Sequence, residues 1–271
     1  MMTQLELAIA ADDAPRPRRS LARIFWLEAK LEFLKTWRVP AFTLPAIGFP
    51  AVFYLLFGVA MKFGEGSPIH MATYLLATYG CFGVIGAALF GFGVGVATER
   101  GQGWMLTKRV SPMPIAAYFT AKLAMSLVFG AIIIALLSAL GVLFGGVRLP
   151  LATWVPLIAI LAGGALPFCA LGLLIGYLVG PNSAPGVVNL IYLPLAFASG
   201  LWIPIVALPG IFRTLAHALP PYHYSQLALK TVGFDVGEPA WVHLVYLVVF
   251  TAVALGLARL AYRRDEGKTY G

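Results

Sequence analysis

Residues 99–114 read ERGQGWMLTKRVSPMP, from Glu99 to Pro114. This is the one charged, turn-rich island inside a long apolar region. Apolar and small residues run into it from Met71, and a comparable run leaves it toward Phe144. Glu99, Arg100, Lys108 and Arg109 thus sit between two segments that each have the length and apolarity of a membrane span. Such an island is either a plain tether between spans or a surface that a partner grips.

Composition supports a bilayer as the solvent. Of 271 residues, 60% are hydrophobic and only 11% charged, against about 25% charged in an ordinary soluble domain. Aromatic residues make up 13%, and 29 glycines suit closely packed spanning helices. The formal charge of +8 lies beside apolar runs, where anionic lipid and membrane orientation account for it without nucleic acid. Cys81 and Cys169 both fall within apolar runs, which speaks against a disulfide framework or a metal site. The N-terminus is no secretory signal, because its basic residues follow the short apolar stretch and Asp12 and Asp13 interrupt it.

The pattern predicts an all-α polytopic membrane protein with six transmembrane helices. Residues 1–19 form a flexible tail, 20–39 an interfacial helix, 40–262 the six-helix domain and 263–271 a second tail. In the interfacial helix Ser20 is a candidate N-cap and Glu28, Glu32 and Lys35 form one polar stripe. Ile24, Leu27, Leu31 and Leu34 make the apolar ridge, and Trp26 and Trp37 suit the headgroup zone. The spans are expected at 41–61, 72–97, 115–143, 154–179, 187–205 and 241–260. Pro45 and Pro50 are expected to kink the first. Lys122, in the first turns of the third, is expected to snorkel to the surface. The segment from Val206 to Leu219 is too short to cross a bilayer and reads as re-entrant or interfacial.

Six spans put both termini and the island on one side. That side holds Arg16, Arg18, Arg19, Arg23, Lys30, Lys35, Arg38, Arg100, Lys108, Arg109, Arg259, Arg263, Arg264 and Lys268. The other holds only Lys62, Arg148, Arg213 and Lys230. The positive-inside rule makes the first side cytoplasmic.

Chemistry within the spans is sparse. No Asp or Glu lies deep in a predicted span, which disfavours an ion-coupled carrier. The chain has no H-E-x-x-H, G-x-S-x-G or G-x-x-x-x-G-K-[ST] sequence, so it is read as no enzyme and as lacking its own nucleotide site. His217, His223 and His243 are not expected to form a close cluster with an acidic residue. Gly91 and Gly95, and likewise Gly172, Gly176 and Gly180, lie four apart and offer grooves for a neighbouring backbone. A short helix over 103–108 in the island would present Trp104, Met105 and Leu106 for burial in a partner, with Arg100, Lys108 and Arg109 facing an acidic rim.

Taken in order, these features resemble the permease subunits of ABC exporters of the ABC-2 type, among them drug-resistance and polysaccharide or lipid exporter permeases. Glu99-Arg100, Gly103, Leu106 and Ser111-Pro112 look like that family's cytoplasmic coupling helix between its second and third spans. Ser199-Gly200, Pro204, Leu208-Pro209, Leu219-Pro220 and Tyr222 resemble its run from the fifth helix into short extracellular re-entrant helices. The helix at 20–39 resembles its connecting helix. The resemblance implies two permease copies, as a homodimer or a heterodimer, with two separate cytoplasmic ATP-binding subunits that carry the ATP and Mg. The chain itself would need no cofactor, and an amphipathic or hydrophobic substrate would be exported along the permease interface. Glu99, Arg100, Gly103, Trp104, Leu106, Lys108 and Arg109 then become the coupling residues. The island departs from many relatives in having Gly-Trp where they carry a more polar pair. Two other readings stand beside it: a non-transporting scaffold that anchors a cytoplasmic partner through the same island and glycine ridges, and an ion-coupled secondary transporter, which the missing deep carboxylates disfavour.

Overall fold

A computed structural model describes residues 20–61, 70–104 and 113–265. Among these residues the structure is entirely helical or irregular, with no β-strand. In chain order the helices are α1 (Leu21–Trp37), α2 (Pro40–Ala60), α3 (Met71–Gly101), α4 (Ile115–Leu143), α5 (Leu151–Leu178), α6 (Ala184–Ala198), α7 (Gly210–Ala216), α8 (Pro220–Val232) and α9 (Ala240–Asp265). Five of them, α2, α3, α4, α5 and α9, are long and apolar enough to cross a membrane.

Each boundary has a local cause. Ser20 caps α1 by accepting a hydrogen bond from the Arg23 amide at 3.3 Å. The helix stops before Pro40, because proline disfavours helical geometry in the residue ahead of it. Pro40 then opens α2 at a position where its missing N–H costs nothing. Pro45 and Pro50 lie within α2, and beyond them the chain widens into π-helical turns over Tyr54–Ala60. A second π-helical stretch, Phe90–Val94, interrupts α3.

The expected fifth span differs from the structure. The apolar pattern over 187–205 merges a helix with the irregular chain after it. The helix, α6, spans Ala184–Ala198 and at 15 residues is shorter than the other apolar helices. It stops where Gly200 takes a positive φ of +78° beside buried Ser199. Pro204 precedes a single 3₁₀ turn (Ile205–Ala207), Pro209 caps α7, and Pro220 opens α8, which carries buried Tyr222. At the other end α9 continues to Asp265, into the segment expected as a tail.

Helix α3 is the axis of the bundle. In its most apolar window 83% of residues are buried, against 22% for α2 and for α9. Small residues let neighbours approach it. A Cβ added at Gly83 would lie 2.6 Å from Ile133 of α4 and 3.1 Å from Pro50 of α2. On the opposite side the π-helical stretch meets α5. A Cβ at Gly172 would reach the Gly93 nitrogen at 3.1 Å, and one at Gly176 would reach the Gly93 oxygen at 3.0 Å. Gly91 fits against Met125 and Ser126 of α4 in the same way. Gly180 faces open space.

Helix α5 consists of two halves, Leu151–Gly163 and Ala165–Leu178, joined at Gly164. The Tyr224 ring of α8 fills the joint, and its hydroxyl donates to the Leu161 carbonyl at 2.6 Å. A Cβ at Gly164 would stand 1.9 Å from that ring. Gly164→Ala is therefore expected to destabilise the protein by about 1–3 kcal/mol through overpacking. Thermal unfolding in mild detergent measures this, and Gly164→Ala combined with Tyr224→Leu should recover part of the loss. An unchanged midpoint for Gly164→Ala would remove Tyr224 as the constraint on the joint.

Candidate functional site: a buried ion ring at the base of α3

The polar stripe of α1 is not wholly in solvent. Glu32 and Lys35, one turn apart on one face, reach α4 and the end of α3, with Glu32 buried and the Lys35 side chain 39% exposed at the rim. Glu32 is 6% exposed. There the two residues meet Glu99 of α3 and Lys122 of α4, and the four form a closed ring of alternating charge. Lys122 donates to Glu32 at 2.7 Å and to Glu99 at 3.1 Å. Lys35 donates to Glu32 at 2.6 Å and also to Glu99. Tyr118, one turn before Lys122, donates its hydroxyl to the remaining oxygen of Glu99. All four carboxylate oxygens of the ring are thereby satisfied.

Lys122 therefore does not snorkel. Its side chain is fully buried, because two carboxylates compensate the charge where it lies and no exit to water is needed. Gly95 supplies the room, since a Cβ there would press on the Lys122 ammonium at 3.1 Å. Burial works against the charge on Lys35, but the carboxylates of Glu99 and Glu32 outweigh it and hold its pKa above the ordinary lysine value.

The next residue, Arg100, reaches the other way. Its guanidinium donates to the carbonyls of Tyr177 and, at 3.1 Å, Val179, at the C-terminus of α5. A cation at that helix end also answers its dipole. Gly101 packs so closely on Pro181 that a Cβ would lie 2.5 Å from the ring. Consecutive residues thus pin the end of α3 to α1 and α4 on one side and to α5 on the other. Gly103 follows with φ of +72°, and Trp104 is 50% exposed.

Of the expected coupling residues, the structure places Glu99 in the ring, Arg100 on the end of α5, and Trp104 on the surface. Leu106, Lys108 and Arg109 lie outside the described residues. Sequence reasoning missed Glu32, Lys35, Tyr118 and Lys122 as partners of Glu99. Lys122 was the available signal: an ionisable residue inside an apolar helix demands an opposite charge. Glu32 sits at the i−3 position from Lys35, where one face carries both signs.

Because the ring is neutral and Glu32, Glu99 and Lys122 are buried, removing Lys122 leaves an uncompensated buried charge. Lys122→Met is expected to cost about 3–5 kcal/mol, seen as a lower thermal unfolding midpoint in detergent. Adding Glu32→Gln restores neutrality and should recover part of that loss. Equal midpoints for wild type and Lys122→Met would show that the ring contributes nothing to stability.

Comparison with known proteins agrees with this architecture. The family model described as "ABC-2 type transporter" matches residues 23–232, from α1 through α8. The chain is also 26% identical over 235 residues to the "Putative transport permease YvfS" of Bacillus subtilis (strain 168). That match covers 87% of this chain and 95% of the Bacillus protein. Family members are membrane permeases that pair with a separate cytoplasmic ATP-binding subunit. The chain belongs to the ABC-2 type transporter family of polytopic membrane permeases.

Proposed function

We propose that the chain is the membrane subunit of an ATP-driven exporter, with ATP hydrolysed on a separate subunit and motion entering the bundle through the segment after Glu99. The observation that carries this reading is the double pinning of the α3 end. A force applied to residues 101–112 meets a neutral ion ring on one side and the Arg100–α5 contact on the other. It therefore moves α1, α3, α4 and α5 together and does not merely bend a loop.

The remaining parts of the reading follow from charge and surface. The basic excess near the termini and the island supports a cytoplasmic position for them, on the side of the ATP-binding subunit. Two such subunits serve two permease copies. The exposed apolar residues Leu44 of α2 and Leu190 of α6 offer a face to the second copy or to lipid. The chain after α6, from Ser199 through Tyr222, forms the short re-entrant elements at the opposite face. An amphipathic or hydrophobic cargo suits the apolar walls of the helices.

Trp104 tests the coupling role, because it is exposed and lies beyond the last turn of α3. Trp104→Asp should leave the permease inserted and its unfolding midpoint unchanged. It should weaken binding of the ATP-binding subunit, or its transport-coupled ATPase activity, by about tenfold or more, as expected when a buried aromatic anchor is lost. The assay is ATPase and transport activity of the complex in proteoliposomes. Normal partner binding with normal coupling would eliminate Trp104 as a contact.

A further inference from the structure

At the end of the bundle opposite the ion ring, three histidines and a glutamate converge where the sequence suggested no cluster. His217 follows α7, Tyr222 and His223 open α8, Glu238 lies in the link to α9, and His243 and Tyr246 lie in the first turns of α9. His223 and His243 are buried, at 4% and 1% exposure. Their Nδ1 atoms stand 2.9 Å apart, and the other nitrogen of His223 stands 2.9 Å from the His217 carbonyl.

These distances fix the protons. A carbonyl only accepts, so His223 Nε2 carries a hydrogen. In the neutral ring Nδ1 is then a bare acceptor, and His243 must donate from its own Nδ1. One hydrogen thus bridges the two imidazoles and ties α8 to α9. The His223 ring also stacks on Tyr246, with centroids 3.8 Å apart, and the Tyr246 hydroxyl donates to the Ala218 carbonyl at 2.7 Å. The bridge tolerates one added proton, on either ring. It fails when both rings are cations, because two N–H groups then face each other at 2.9 Å.

The surroundings set which charges the bridge feels. His217 Nδ1 meets the Arg213 carbonyl at 2.8 Å, leaving Nε2 to face Glu238 at 3.2 Å. His243 Nε2 faces the other Glu238 oxygen at 3.5 Å. Glu238 therefore faces both His217 and His243, and a positive charge on either imidazole opposes one on His223. The other groups nearby are Tyr222, which lies 3.5 Å from both Glu238 and His217, Tyr74 of α3 beside it, and the paired Lys230 and Asp235. Among the described residues, no three His, Cys, Asp or Glu side chains are arranged to hold a metal ion.

We propose that the His223–His243 bridge is an acid-released latch that holds α8 against α9 at neutral pH and lets go in acid. Burial keeps the His223 pKa below the ordinary histidine value, against the opposing pull of the His217 carbonyl and Glu238. The sign follows from linkage. A histidine whose folded pKa is depressed contributes stability that is complete above its unfolded pKa, near 6.5. That stability is lost as pH falls.

Cys81 of α3 reports the opening. It is fully buried beside Tyr224 of α8, whereas Cys169 lies in α5 and serves as an internal control. The experiment is brief labelling of the full-length permease in nanodiscs with a pyridyl disulfide, which reacts in acid as well as at neutral pH. From pH 7.5 to 5 the Cys81:Cys169 labelling ratio should rise, by up to about tenfold per pH unit between about 6.5 and the depressed His223 pKa, and level off below it. His223→Gln can donate and accept in the same place without titrating, so its ratio should stay flat. A wild-type ratio independent of pH overturns the latch, and so does a His223→Gln profile equal to wild type. Should His223→Gln not fold, the wild-type ratio alone decides.

Discussion

A charge inside an apolar bundle must be neutralised where it stands, and the ring of Glu32, Lys35, Glu99 and Lys122 shows how much geometry that requirement imposes. Each lysine bridges the same two carboxylates, so no pair can shift without opening two contacts. The ring draws on three separate helices, and their relative register is fixed by it. Apolar packing alone tolerates sliding, because any methyl group will do. Buried ion pairs are costly to desolvate and contribute little net stability against a well-packed apolar alternative. What this ring supplies is position: it says where α1 must lie.

The consequence is clearest for α1, which is attached inside out. Its charged stripe faces the bundle, while Trp26 and Leu31 are 68% and 59% exposed on the outside. An outer apolar surface of this kind suits a helix lying in the membrane interface, with aromatic rings at the headgroup level. The aromatic residues Phe33 and Trp37 also pack on Phe129 of α4, so the inward face is part ion ring and part ring stack. Helix α1 is thus bound by α4 and Glu99 within and, outwardly, by an apolar surface fit for lipid.

How far the sequence could be read depends on the range of the interactions involved. Hydropathy is a local property, and the third span was legible to the residue, Ile115–Leu143. Proline at Pro40 and the cap at Ser20 are equally local signals, and α1 begins and ends where they say. The fifth span was overextended because apolar composition does not distinguish helix from the buried turn at Ser199–Gly200. Side-chain partners were the least legible. Glu99 and Glu32 lie 67 positions apart, and a stripe of charges reads as a solvated face unless its partner is known. Lys122 carried the missing information, but a long side chain near a helix end has two outlets, water or a carboxylate. The histidines failed for the same reason. His217, His223 and His243 are spread over four turns or more of sequence, and only the return of α9 against α8 brings them together.

Membership in a permease family assigns the fold and the need for a motor, and it leaves the cargo to the particular side chains. In this chain the polar chemistry is divided between the two ends of the bundle, with a middle built from glycine contacts and apolar packing. The ring end pairs every charge with two of opposite sign, which suits a part that must carry load without changing. The histidine end holds groups whose ordinary pKa lies near neutrality, beside a single carboxylate that cannot balance three imidazolium charges. A rigid end and a titratable end joined by α3 and α9 make the two faces physically unequal. Protons can alter how α8 sits on the bundle without disturbing the ring by which α1 is held.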